Sequence, residues 1–147
     1  MFIINFKEFI LNSIPRCPAI MTEEQAEQLN PLVLAFIGDS VETLYVRSRL
    51  VFKSDMKTGG LHKQAAKIIN ATQQSRAADV LSEFFNEKEK EIYKRARNSK
   101  THTSAKNATI IDYKKASGYE AVIGYLYLTG QSERLDFLFR KVINYDN

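Results

Sequence analysis

Leu32-Val33-Leu34-Ala35-Phe36-Ile37-Gly38-Asp39-Ser40-Val41 is an apolar run with a carboxylate in its middle. Leu34, Ile37, Val41, Leu44, Ser48 and Val51 step by three and four residues, the spacing of one helical face. Gly38 and Asp39 sit inside that pattern. A glycine within a helix costs roughly 1 kcal/mol relative to alanine. A carboxylate beside a core requires a partner or a metal. Two such choices side by side, in a segment that otherwise obeys its pattern, mark a candidate functional site. The other reading is an aspartate at a helix crossing that pairs with an arginine. This segment alone leaves both open.

Helical signals extend outward from it. Thr22-Glu23-Glu24-Gln25 reads as a capping box opening a short helix over 22–30. Pro31 suits the first position of a second helix running to about Val51. Residues 57–60, with two glycines, read as a break. Leu61, Ala65, Ile68 and Ile69 carry the next helical face. A helix over 72–85 buries Ala77, Val80, Leu81 and Phe84. A charged helix over 86–98 turns Ile92 and Ala96 inward. Residues 99–109 are polar and read as a loop. A long apolar helix spans 110–128, ended by Gly130. A last amphipathic helix over 132–147 presents Leu135, Leu138, Val142 and Ile143. The expected class is all-α, in about seven helices, with no repeat and no hairpin.

A length of 147 residues suits one domain. Residues 1–20 read as a dispensable N-terminal extension or a small packing helix, and 21–147 as the domain proper; Met21 is a plausible start. Lys7 and Glu8 interrupt the early apolar stretch, which makes a poor secretory signal. The single Cys17 excludes an internal disulfide and a cysteine-based zinc site, and fits a reducing, cytoplasmic setting. No apolar run has the length of a membrane span. The net charge of +4 permits a nucleic-acid partner without requiring one. Its distribution is more informative. From Lys94 to Lys115 stand seven basic residues and one acid, Asp112.

Glu120 repeats the oddity of Asp39, as a lone charge within Ala116-Ser117-Gly118-Tyr119-Glu120-Ala121-Val122-Ile123-Gly124. Gly124, four residues on, shares its face. Two helices that each carry a glycine beside an acid can approach backbone to backbone, which would bring Asp39 and Glu120 together. Two ionised carboxylates at short range repel, so one is protonated or a cation lies between them. In a chain that shows no other acid of this kind, a divalent cation is the favoured answer. An oxygen-only set completed by water and phosphate describes Mg2+, with Mn2+ also suitable. Beside a Lys/Arg-rich loop, such a site suits a phosphodiester. Glu42, three residues after Asp39, lies on a neighbouring face; a surface glutamate is the favoured reading over an assisting role at the site.

These residues resemble a known family. Phe36-Ile37-Gly38-Asp39-Ser40-Val41 resembles the signature helix of ribonuclease III endonuclease domains, and Tyr119 to Leu128 its second acidic motif. The nearest resemblance is to the Mini-ribonuclease III subfamily. Leu61-His62-Lys63, Arg95-Ala96-Arg97-Asn98-Ser99-Lys100 and Lys106-Asn107 all have counterparts there, in order, and the resemblance covers about Thr22 to the end. It implies an all-helical, homodimeric, metal-dependent endonuclease for double-stranded RNA. Water would attack the phosphodiester to leave a 5′-phosphate and a 3′-hydroxyl. The subfamily implies maturation of the 23S ribosomal RNA precursor, with a ribosomal protein as a possible helper. Asp39 and Glu120 would be catalytic and bind the metal. His62, Lys63, Arg95, Arg97, Lys100, Lys106 and Asn107 would contact RNA, and Phe36 and Ile37 would lie at the dimer interface.

The chain also departs from the family. Two further family acids are here Ala35 and Ser117, which leaves the metal number open. No double-stranded-RNA-binding domain follows the nuclease domain in this sequence, so RNA would be gripped by the catalytic domain or a helper. Ala96 and Ala105 replace a glycine and a proline of the subfamily's basic loop. A catalytically silent double-stranded-RNA-binding or ribosome-assembly protein on the same fold is the alternative.

Overall fold

The structure is a computed structural model that describes residues 16–100 and 108–143. Seven helices and no strands occur among the described residues: α1 (Glu23–Glu27), α2 (Pro31–Lys53), α3 (Thr58–Ile68), α4 (Ala71–Leu81), α5 (Glu87–Arg97), α6 (Ile110–Leu128) and α7 (Ser132–Val142).

Local chemistry sets the boundaries. Thr22 accepts from the Gln25 backbone N–H while the Gln25 side chain accepts from Thr22, a complete capping box. Asn30 caps α2, with Pro31 at the first helical position. Asn86 and Glu89 form a second capping box on α5. Gly130, at φ 71°, turns the chain out of α6 in the left-handed conformation that favours glycine. The expected break at 57–60 lies earlier. Lys57 is the N-cap, and Thr58, Gly59 and Gly60 already form the first turn of α3.

Helix α6 is the centre of the molecule. Every residue from Ala116 to Leu126 except Glu120 is buried, and α2, α4 and α5 pack around it. A helix apolar on all sides needs neighbours on all sides. Tyr45 stacks on Phe139 at 4.5 Å between ring centroids, which ties α2 to α7. Glu89 is fully buried, and the Arg134 guanidinium donates to both of its oxygens at 2.9 and 2.8 Å. This forked pair fastens α7 to α5.

Two expectations about packing need correction. The buried stripe of α2 is Leu34, Gly38, Val41, Tyr45 and Arg49, whereas Leu44 and Val51 are exposed. On α4, Ala78 and Leu81 are buried but Val80 is exposed.

Candidate active site

The site lies where α2 crosses α6. Gly38 faces the backbone of Glu120, and Gly124 faces the backbone of Leu34 and the side chain of Ile37. A Cβ at either glycine would occupy the space of a carbonyl oxygen on the other helix. The glycines therefore set the interhelical distance, and this compensates their poor helix propensity. The contacts pair in reverse order, so the helices run in opposite senses through the crossing.

That crossing brings Asp39 and Glu120 into hydrogen-bonding contact. Asp39 is exposed and Glu120 half-buried. Burial and the Asp39 charge push the Glu120 carboxyl up to about 9. Free of a cation, Glu120 therefore keeps its proton at neutral pH. Among the described residues, no lysine or arginine acts on Glu120. The ion pairs among the described residues involve Glu27, Glu87, Asp79 and Glu89, and neither Asp39 nor Glu120 is paired with an arginine there.

Glu42 is the residue that the sequence reading misjudged. It is 4% exposed, not a surface glutamate. The Gln74 amide donates to its Oε1 at 2.8 Å. Tyr119 also hydrogen-bonds it, and burial raises its carboxyl above the usual range. Glu42 stands four residues after Gly38, hence on the same row of α2, and that spacing was the available signal. Glu89 and Asp136 are buried too. The premise that the chain holds no other buried acid is therefore wrong, although these two lie away from the crossing.

Could the pair hold a divalent cation? The fit is good in donor type and charge. Two carboxylates touch with no opposing cation, and oxygen-only sets suit Mg2+ or Mn2+. Among the described residues, no cluster of three His, Cys, Asp or Glu side chains is arranged for a metal. Ala35 is buried, and the Ser117 hydroxyl donates to the Tyr113 carbonyl at 3.1 Å. A cation here would complete its shell with water and phosphate oxygens.

The remaining residues separate into groups. His62 and Lys63 are exposed on α3, as is Lys100 beyond α5. The Arg97 guanidinium lies 5.6 Å from the Tyr93 ring centroid. It borders a groove with Asn98, Lys114 and Lys115, and Lys115 pairs with Asp79 at 2.6 Å. Arg95 turns inward instead. It donates to the Glu27 and Leu29 carbonyls at 2.8 and 3.4 Å, holding the α1–α2 junction. Lys106 and Asn107 lie outside the described residues. Phe36 is 77% exposed, whereas Ile37 packs against the core beside Gly124. A cavity of about 750 Å³ opens beside Glu42, Gln74 and Tyr119. Its other walls carry Arg49, Lys53, Lys67, Arg76 and Lys141, a basic lining that the sequence reading did not single out.

Comparison with known proteins identifies the family. The ribonuclease III domain family matches residues 32–131. A Mini-ribonuclease 3 of Clostridium tetani is 44% identical over 124 residues, 84% of this chain and 82% of that protein. One of Staphylococcus aureus is 44% identical over 121 residues, 81% and 90% of the two chains. A crystal structure of a Fusobacterium nucleatum protein superposes with a TM-score of 0.73 at 31% identity, covering 79% of this chain and 94% of that one. The chain belongs to the ribonuclease III family and is an endoribonuclease.

Proposed function

We propose that the protein is a divalent-metal-dependent endoribonuclease for double-stranded RNA, with Asp39 and Glu120 as its catalytic, cation-holding pair. The observation that carries this reading is the contact between those carboxylates across the Gly38–Gly124 crossing, with burial and the Asp39 charge raising Glu120. A cation held there would neutralise phosphoryl oxygens and acidify a water.

The chain's own side chains do the rest. Asp39, being exposed, faces the solvent from which a phosphodiester arrives. Glu120 holds its proton only while no cation competes for the oxygen, so loading the site releases a proton. In the hydrolysis, a water oxygen bonds to phosphorus and the bond to the 3′ oxygen breaks. This leaves a 5′-phosphate and a 3′-hydroxyl. Arg97, Lys100, Lys106 and Asn107, with His62 and Lys63, grip phosphates and 2′-hydroxyls on the duplex. A-form RNA is read mainly by shape across its shallow minor groove. Arg95 supports the RNA-facing segment from behind, through the carbonyls that it holds. Two copies meeting through the α2 face that exposes Phe36 would place one site on each strand. The natural substrate in this reading is the 23S ribosomal RNA precursor, presented by a ribosomal protein, in the cytoplasm.

The test is cleavage of a duplex RNA in Mg2+ by the native protein and by Asp39→Asn. The substitution is expected to lower the rate by at least about 100-fold while binding persists, since only the charge that holds the cation is lost. Undiminished cutting by the variant would remove Asp39 from the mechanism. Binding without cutting by the native protein in Mg2+ would contradict the proposed cation and substrate.

A further inference from the structure

Behind the carboxylate pair lies a polar group that the pair alone does not explain. Gln74 on α4 is 6% exposed and Glu42 on α2 is 4% exposed. The Gln74 Nε2 donates to Glu42 Oε1 at 2.8 Å, and the same amide lies close enough to the Glu120 carboxyl to favour its charged form. Tyr119, 1% exposed, reaches Glu42 from α6. Burying a carboxylate and an amide at a helix junction is costly unless their hydrogen bonds are made. An amide nitrogen carries two hydrogens, enough for one bond to each carboxylate. An apolar side chain at position 74 would fill the same space without the desolvation cost, so the arrangement calls for a use.

We propose that Gln74, oriented by Glu42 and Tyr119, is a positioning residue for Glu120. It fixes one face of that carboxylate so that the free oxygen meets the cation shared with Asp39. The proposal rests on the reading of Asp39 and Glu120 as cation ligands. Three helices contribute: α2 gives Glu42 and Asp39, α4 gives Gln74, and α6 gives Tyr119 and Glu120. With only two carboxylates as proposed cation ligands, orientation of each weighs more than it would in a four-acid centre. Partners of this kind typically change metal affinity by about 10–100-fold when removed.

Three substitutions separate positioning from bulk structure. Gln74→Met keeps the volume and removes both N–H donors. Glu42→Gln keeps an oxygen that can accept from Gln74 and Tyr119, whereas Glu42→Leu keeps none. Mn2+ is titrated calorimetrically into each RNA-free protein, and duplex cleavage is then followed against Mn2+ concentration. Gln74→Met and Glu42→Leu should weaken Mn2+ binding by about 10-fold. They should raise the Mn2+ concentration for half-maximal cleavage by the same factor, with the rate recovering at saturation. Glu42→Gln should stay within about 3-fold of the native protein. If Gln74→Met does not fold, Gln74→Asn serves in its place, because its amide is one methylene too short to serve both carboxylates. Native Mn2+ affinity in a folded position-74 variant would overturn the proposal. Asp39→Asn run in parallel distinguishes the causes. If it also leaves Mn2+ binding unchanged, the cation site itself is wrong; if it abolishes binding while Gln74→Met does not, only the positioning role is wrong.

Discussion

At the scale of single residues, the acids of this site differ by their angle around α2. Asp39 follows Gly38 by one residue and so stands about 100° away from the crossing, in solvent. Glu42 follows by four and returns to the crossing row, where it is buried. A lone sequence shows an acid beside a glycine and draws attention to the nearer one. The residue on the same row is less conspicuous, and nothing local to it announces the Gln74 that supports it from another helix. Glu120 carries a pH signature. Its carboxyl is raised to about 9 in the fold, against an ordinary 4.5. The native state therefore binds this proton more tightly than the unfolded chain does. Its contribution favours folding below about pH 4.5 and is lost progressively as pH rises toward 9. In chelator, Glu120→Gln should thus gain stability relative to the native protein between pH 6 and pH 9, measured by urea unfolding at both. An equal difference at the two pH values would show that Glu120 is not held protonated.

At the scale of helices, much was legible and the exceptions have causes. The 110–128 helix, the capping box at Thr22 and the stop at Gly130 follow from apolar run length and cap chemistry, and all three stand in the structure. The start of α3 was misread because paired glycines usually punctuate. In a first turn, however, the backbone N–H groups have no intrahelical partners, and Thr58-Gly59-Gly60 is accommodated there. The inward role of Arg95 was not legible either. It sits in a run of basic residues, and only the chain's return past Glu27 and Leu29 supplies carbonyls for it. The approach of α2 to α6 depends on the absence of two Cβ atoms. Gly38→Ala should therefore destabilise the protein by roughly 1–3 kcal/mol, as overpacking does, and should separate the carboxylates. Thermal melting and duplex cleavage check both effects. A variant with native melting temperature and rate would mean that the crossing is more tolerant than its geometry requires.

At the scale of the whole molecule, α2 is apolar on two faces. One meets α6; the other leaves Val33, Phe36, Leu44 and Val51 exposed. Sequence periodicity merges the two, which is why Leu44 and Val51 read as one face with Leu34 and Val41. A long helix apolar on its outer side marks an association surface, and the proposed homodimer would use it. Phe36→Glu is expected to yield a monomer in sedimentation experiments, with the helical circular dichroism retained and double-strand cleavage lost. A variant that sediments as the native protein does would place any self-association elsewhere. The deepest dependence of the whole account is the shared cation. Anomalous scattering from a crystal of the protein soaked in Mn2+ tests it most directly. A peak bonded to one oxygen of Asp39 and one of Glu120 is the predicted result. Clear density for both carboxylates with no peak between them, at saturating Mn2+, would contradict it.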